Sequence, residues 1–331
     1  MSVLVIGGAG YVGSHTVLSL KDAGMRVVVL DDLSTGHRKL VPAGVPLYEA
    51  PLEDGTALRT LLRTEGISAV LHFAARSLVE ESVKNPRKYF EANAGGALTL
   101  TGAMLDCGVH RIVFSSTAAI FGEPAQQLPG RPAGAAIEDD AKRVPLNPYG
   151  ESKAFIEDLL LAYRVHGLRS VALRYFNAAG ADAAGRSGED HEPETHLIPI
   201  VLDVALGRRA EVTVFGTDYP TRDGSCLRDY VHVTDLAAAH LAALRHLEAG
   251  GDSLRLNLGS GQGTTVREVI STVARVTGRP VPVREGARRP GDPAALVASS
   301  AGAERILGWR PTRGIDTIVA DAWAWHQKLR A

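Results

Sequence analysis

The chain has 331 residues, with 36 basic against 37 acidic side chains and a formal net charge of −1. Such a balance gives no long-range pull towards nucleic acid or an anionic membrane surface, and neither is expected as a partner. The two cysteines, Cys107 and Cys226, are too few for a disulfide framework, and no apolar run approaches the ~20 residues that cross a bilayer. With the first strand expected from Ser2 or Val3, no stretch is left for a signal peptide. A soluble, cytoplasmic protein with reduced thiols is expected.

In chain order, short apolar runs stand out at VLVIGG (3–8), RVVVLDD (26–32), AVLHFAA (69–75), RIVFSS (111–116) and SVALRYFN (170–177). They are rich in Val, Ile and Leu without polar alternation, as strands covered on both faces require. Amphipathic stretches at 13–24, 55–65, 88–107 and 149–166 separate them and predict helices. Strand–helix alternation of this kind predicts an α/β fold, a doubly wound parallel sheet of Rossmann type with right-handed crossovers. After about Asn177 the texture changes to loops rich in Gly, Asp and Glu, shorter elements, and a Trp-containing helix near 313–329. The expected division is a cofactor-binding domain over 1–177 and a smaller mixed substrate lobe over 178–331. Segments near 228–258 are expected to return to the main sheet. The run 126–136, dense in Pro, Gly and Ala, reads as a loop.

Gly7, Gly8, Gly10 and Gly13 fall between the first strand and the first helix. Glycine there permits a tight turn, lets backbone approach a pyrophosphate, and lets the helix pack close to the strand. The helix start supplies free N–H groups and the positive end of its dipole. Asp31 ends the second strand, where a carboxylate accepts from both ribose hydroxyls and repels a 2′-phosphate. NAD is therefore expected rather than NADP. Asp32 stands beside Asp31 as a more solvated neighbour, and Arg38 lies too far downstream to argue for a 2′-phosphate.

Tyr149 and Lys153 are spaced as neighbours on one face of a helix that Pro148 is placed to open. A phenol titrates near 10, so acting as a base near pH 7 needs a shift of roughly 3 units, which nearby cations can supply. Thr117 follows the fourth run, at the carboxyl edge where ligands of such sheets bind, and its hydroxyl can relay a proton.

With these elements in place, the chain resembles the extended short-chain dehydrogenase/reductase family, and within it the nucleotide-sugar epimerases. The resemblance runs from residue 1 to beyond 310, through GGAGYVGSHT (7–16), HFAARSLVEES (72–82), YFNAAGAD (175–182), THLIPIVL (195–202) and VFGTDYPTRDGSCLRDYVHVTDLA (214–237). It implies a catalytic trio of Thr117, Tyr149 and Lys153. It implies NAD contacts at Gly7, Gly10, Tyr11, Val12, Gly13, Asp31, Asp32, Leu52, Phe73, Ala74, Asn93 and Tyr175, besides Tyr149 and Lys153. A UDP-sugar substrate would meet Thr117, Asn177, His196, Leu197, Thr213, Val214, Phe215, Arg228, Arg289 and Asp292. The arginines suit this chemistry, because guanidinium forks match a diphosphate. Some positions depart from the family pattern: Pro51 replaces an Asp that meets adenine, Ser77 a Lys near the cofactor phosphates, and Phe121 a Tyr.

The reaction implied is reversible interconversion of UDP-galactose and UDP-glucose through transient oxidation at C4, with Tyr149 as base. Ala118 and Ala119 occupy the slots where related dehydratases and decarboxylases carry acids, and alanine transfers no proton. Epimerisation of an N-acetylated or uronate UDP-sugar is the alternative, with Leu296 at the place where bulk restricts N-acetyl groups. A non-catalytic NAD sensor would not need Tyr149 and Lys153. A homodimer is implied by the resemblance. No metal is expected: the 11 histidines are scattered, and His191 and His196 are not spaced as a helix-face ligand pair.

Overall fold

The computed structural model describes residues 2–123, 134–289 and 292–329. The first half alternates as expected. Strands β1 (Ser2–Ile6), β2 (Arg26–Asp31), β3 (Leu47–Glu49), β4 (Ile67–His72), β5 (Arg111–Thr117) and β6 (Arg169–Tyr175) are interleaved with helices. Those helices are α1 (Tyr11–Asp22), α2 (Gly55–Thr64), α3 (Val79–Lys84), α4 (Pro86–Tyr89), α5 (Gly96–Asp106) and α6 (Pro148–Ala162). The stretch expected as one helix over 88–107 contains a π-helical segment at Phe90–Gly95 between α4 and α5.

The second half holds β7 (Asn177–Ala179), α7 (Leu197–Ala205), β8 (Val212–Phe215), β9 (Leu227–Arg228), β10 (Tyr230–His232), α8 (Val233–Glu248) and β11 (Leu254–Leu258). It continues with β12 (Thr264–Thr265), α9 (Val266–Thr277), β13 (Val283–Gly286), β14 (Ala295–Leu296), α10 (Ala301–Leu307) and α11 (Ile315–Leu329). The seven-stranded sheet has the order β11-β6-β5-β4-β1-β2-β3 and is parallel throughout. The edge strand β3 was not among the predicted runs; its three residues are polar or half-exposed and carry no apolar signal. β11 pairs with β6, and α8 lies against α1, so the chain returns to the main sheet after building part of the second lobe. Residues 126–133 of the predicted loop lie outside the described residues.

Alternate residues of each strand serve opposite faces. Val3, Val5, Val27 and Val29 face one layer, packed with Val17 and Leu20 of α1 and Leu236, Ala239 and Ala243 of α8. Leu4, Ile6, Val28 and Leu30 face the other, with Leu58 and Leu62 of α2, Leu100 of α5 and Ile156 and Leu160 of α6. Each such side chain contributes about 1.5–3 kcal/mol when fully buried, and both faces need covering, which explains the unbroken apolar runs. A third core joins α7, α9 and α11 over β8 through Val201, Val214, Val273 and Val319. No helix among the described residues is long and apolar enough to cross a membrane.

The turn after β1 depends on missing side chains. A Cβ on Gly13 would lie 2.0 Å from the carbonyl oxygen of Gly7, and Gly7 itself has φ +79°. Gly102 in α5 has open space around it, with nothing within 4 Å of an added Cβ. Gly13→Ala is expected to lower stability by about 1–3 kcal/mol through overpacking, and Gly102→Ala to raise it by about 0.5–1 kcal/mol through helix propensity. Urea unfolding of the two variants checks the pair.

Candidate active site

A cleft of about 1530 Å³ opens over the carboxyl ends of β1, β2, β4, β5 and β6. Strand order departs in opposite directions from β1, towards β2 on one side and β4 on the other. Loops diverge at such a switch point and leave a crevice for a ligand.

Gly7, Gly10, Tyr11, Val12, Gly13, Asp31, Asp32, Leu52, Phe73, Ala74, Asn93, Tyr149, Lys153 and Tyr175 all line this cleft. Gly10 starts α1 with no side-chain cap, which leaves the first-turn amides available to an anion. A Cβ on Gly7 would stand 2.5 Å from the amide nitrogen of Ala74, so the glycine lets the turn pack directly against the loop after β4. The Asp31 carboxylate accepts from the amides of Ala9 at 2.8 Å and Leu33 at 2.9 Å, and each oxygen keeps a lone pair for a further donor. Burial raises its pKa, and the amide bonds work against that rise. These donors and acceptors fit NAD. Asp32 holds the amide and hydroxyl of Ser34 and faces Arg76 at 3.8 Å. Arg38 pairs with Glu49, so it is not disposed to greet a 2′-phosphate.

The Asn93 side chain is buried. Its oxygen accepts from the Arg76 amide at 2.8 Å, and its NH₂ donates to the Arg76 carbonyl and to Ser152. It therefore fixes the loop after β4. That loop brings Arg76, which the sequence reading passed over, into the cleft one residue from Ser77. Its guanidinium donates to the Ser34 hydroxyl at 3.1 Å and stands 3.8 Å from Asp32, and the adjacent HFAA string was the signal that could have found it.

α6 begins with Asn147 accepting from the Gly150 amide and Pro148 in its first turn. This start aims Tyr149 and Lys153 at the end of β5. Both are buried. Lys153 Nζ donates to the Ser115 carbonyl at 2.8 Å and lies 4.7 Å from the centre of the Phe114 ring. Burial pulls its pKa down to about 7, and Glu157 only partly offsets this. Tyr149 is raised by burial, while a hydrogen bond with Thr117 acts the other way. The ammonium points to a carbonyl rather than to the phenol, so the expected Lys-driven lowering of Tyr149 is not in this geometry. Beneath the pair, Glu157 takes a two-pronged bond from Arg174 at 2.8 and 2.6 Å and another from Ser116 at 2.6 Å.

At the far end, Asn177, His196, Arg228, Arg289, Asp292 and Leu296 line the cleft. Arg228 and Asp292 are paired, and the Arg289 guanidinium lies 3.9 Å from the centre of the Phe215 ring. Leu197, Thr213, Val214 and Phe215 do not line it. β8 alternates, so Val212 and Val214 enter the third core while Thr213 and Phe215 face outward. The Val214 side chain therefore cannot reach a ligand; only its backbone can.

The segment before α7 holds what the sequence did not disclose. His191 and His196 were set apart by spacing, yet their ring centres are 5.1 Å apart. Glu189 and Glu194 join them, within 4.8 Å among the ligand atoms. Burial works to raise Glu189 and to lower His196, but their mutual attraction wins: the acid is held low and the imidazole high.

A glycine turn at a helix start, an acid at the end of β2 and a Tyr–Lys pair on one helix together define a nicotinamide-dinucleotide-dependent enzyme. Residues 3–259 match the model of the NAD dependent epimerase/dehydratase family. The chain belongs to that family. It is 51% identical to a UDP-glucose 4-epimerase of Halalkalibacterium halodurans, covering 99% of this chain and 96% of that one. Its fold is similar to UDP-glucose 4-epimerase from Brucella ovis in complex with NAD, with a TM-score of 0.92 at 44% identity over 98% and 97% of the chains. It is also similar to the Bifidobacterium longum enzyme in complex with NAD⁺ and UDP, with a TM-score of 0.91 at 35% identity over 99% of each.

The depressed pKa of Lys153 has a consequence for stability. Between about 7 and the unfolded value near 10.4, the unfolded chain binds a proton that the folded chain does not. Stability contributed by this group therefore rises with pH in that window. In cofactor-free protein, the stability of wild type relative to Lys153→Met is expected to increase from pH 7 to 9. Urea titrations at three pH values measure it, and a flat difference would contradict the buried, weakly paired lysine.

Proposed function

We propose that this chain interconverts UDP-galactose and UDP-glucose, using NAD. The observation that carries this reading is the joining of two chemistries in one cleft: Thr117, Tyr149 and Lys153 at one end, Arg228 and Arg289 at the other. NAD would be held by the first turn of α1, Asp31, Leu52 and the Phe73–Ala74 backbone, with Arg76 in reach of its phosphates. When bound, it supplies the hydride acceptor and donor at the sugar C4, and a positive charge that favours the Tyr149 phenolate.

The chain's own groups do the rest. Tyr149 takes the proton of the sugar 4-hydroxyl and returns it after the ring has turned. Thr117, hydrogen-bonded with Tyr149, orients that hydroxyl and passes the proton. Lys153, held by the Ser115 carbonyl, would bind the cofactor ribose. Arg228, freed from Asp292, and Arg289 grip the diphosphate, leaving Asp292 to accept from the uridine ribose. Anchoring the nucleotide leaves the sugar free to present either face, which is how binding energy serves the reaction without freezing it.

Purified protein given UDP-galactose and no added NAD is expected to form UDP-glucose up to a fixed ratio, followed by NMR. Tyr149→Phe is expected to lose roughly 10²–10⁴-fold in turnover while keeping its fold and bound NAD. Near-normal turnover in that variant would falsify the base assignment.

We further propose a homodimer. The outward faces of α5 and α6 expose Leu98, Phe155 and Leu161, with Phe90 and Val165 just beyond their ends. α5 and α6 touch, so these side chains offer an apolar surface that a second copy can cover. Sedimentation is expected to show a dimer for wild type and a shift towards monomer for Phe155→Glu; an unchanged dimer would place the interface elsewhere. A cytoplasmic location follows from the nature of the substrate and cofactor.

A further inference from the structure

We propose that Glu189, His191, Glu194 and His196 form a binding site for a divalent first-row transition ion of zinc type in the cleft wall. The four side chains offer two imidazole nitrogens and two carboxylates. His191 Nδ1 lies 3.2 Å from Glu189 Oε1 and 3.8 Å from Glu194 Oε2. His196 Nδ1 lies 2.8 Å from Glu189 Oε1 and 3.1 Å from Glu194 Oε1. A tetrahedral zinc ion with bonds near 2.0–2.1 Å needs its ligand atoms about 3.3 Å apart. Taken one donor atom per residue, the set lies within 4.8 Å, so side-chain rotation has to draw the donors together to seat the ion.

Both carboxylates are 8% exposed and hold a proton on His196; a divalent ion taking the His196 nitrogen displaces that proton, and its charge then balances the two carboxylates. Mixed nitrogen and oxygen donors suit zinc and its neighbours rather than calcium or magnesium. Four protein donors leave no open position, so the site is closed and has no Lewis-acid role in the reaction.

The frame is rigid. The Glu189 carbonyl accepts from Trp325 Nε1 at 2.9 Å, and Gly188 bridges to Ala181. His196 stands at the start of α7, whose apolar face is built into the third core. A site on such supports is organised before the ion arrives.

His196 is also among the residues assigned to the sugar nucleotide, so an ion that claims its Nδ1 removes it from that role and inhibits turnover. This second half rests on the function proposed above; the site itself does not.

The full-length protein, stripped with EDTA and dialysed, is titrated with CoCl₂ and then ZnCl₂. The expected result is one equivalent of cobalt with the intense visible bands of four-coordinate geometry, displaced by zinc. Calorimetry should show affinity falling roughly tenfold or more in His191→Ala and in Glu194→Gln, each checked for native circular dichroism. If one variant fails to fold, the other carries the comparison. No binding at millimolar metal, a weak six-coordinate spectrum, or equal affinity in the variants overturns the site. Zinc inhibition of UDP-galactose turnover that is relieved in Glu194→Gln supports the inhibitory role. Zinc bound with turnover unchanged overturns that role, and a protein that binds cobalt but epimerises nothing overturns the proposed function and leaves the site standing.

Discussion

Lys153 carries an ammonium into an interior position where it is 2% exposed, and the arrangement around it answers the cost of doing so. One carbonyl, from Ser115, and the face of Phe114 are its immediate partners. Glu157, one turn further along α6, offers opposite charge, but it is already bound by Arg174 and Ser116. Desolvation therefore dominates and leaves the ammonium near its titration point. A group in that condition responds strongly to any charge brought beside it. This is what a site needs if a phenol is to change protonation during each turnover.

The Glu157–Arg174 pair is itself almost wholly buried. Such pairs add little net stability, since desolvation offsets attraction, but breaking one is costly because it strands a charge. Here every major valence is used: Arg174 also donates to the Asp139 carbonyl, and Asp139 in turn accepts from the Asn257 amide. The chain of bonds ties α6 to β6 and β11, and so to the segment that returns from the second lobe. The floor of the site and the join between lobes are one network.

A parallel device holds the substrate end. Asp229, buried between β9 and β10, accepts from Ser260, Gly261 and Ala298. Asp235, in the first turn of α8, accepts from Thr312 and Arg313. Buried carboxylates bonded by several amides fix loops that carry little apolar surface of their own. Asp229, next to Arg228, helps set the segment from which Arg228 pairs with Asp292 in the same cleft as Tyr149, although Asp292 lies far from both in the chain.

The main sheet, the glycine turn, Asp31 and the Tyr149–Lys153 pair were legible because each is a local pattern: apolar runs of strand length, spacing along one helix face, a turn that only glycine allows. β3 was missed because a short edge strand has no buried face to advertise it. The π-helical turn at Phe90–Gly95 was missed because its residues read as ordinary helix. The direction of Lys153 towards Ser115, the commitment of Asn93 to Arg76, and the inward turn of Val214 depend on packing between distant segments, which no spacing encodes. The meeting of Glu189, His191, Glu194 and His196 is the clearest case. Local periodicity sets the four apart, and only the folding of their loop against Tyr11 and Trp325 turns their donor atoms to one point. The sequence alone thus determined the cofactor fold and the placing of Tyr149 and Lys153 on one helix face, whose signals are local. Tertiary structure decided which charges face one another, because burial and long-range contact set that.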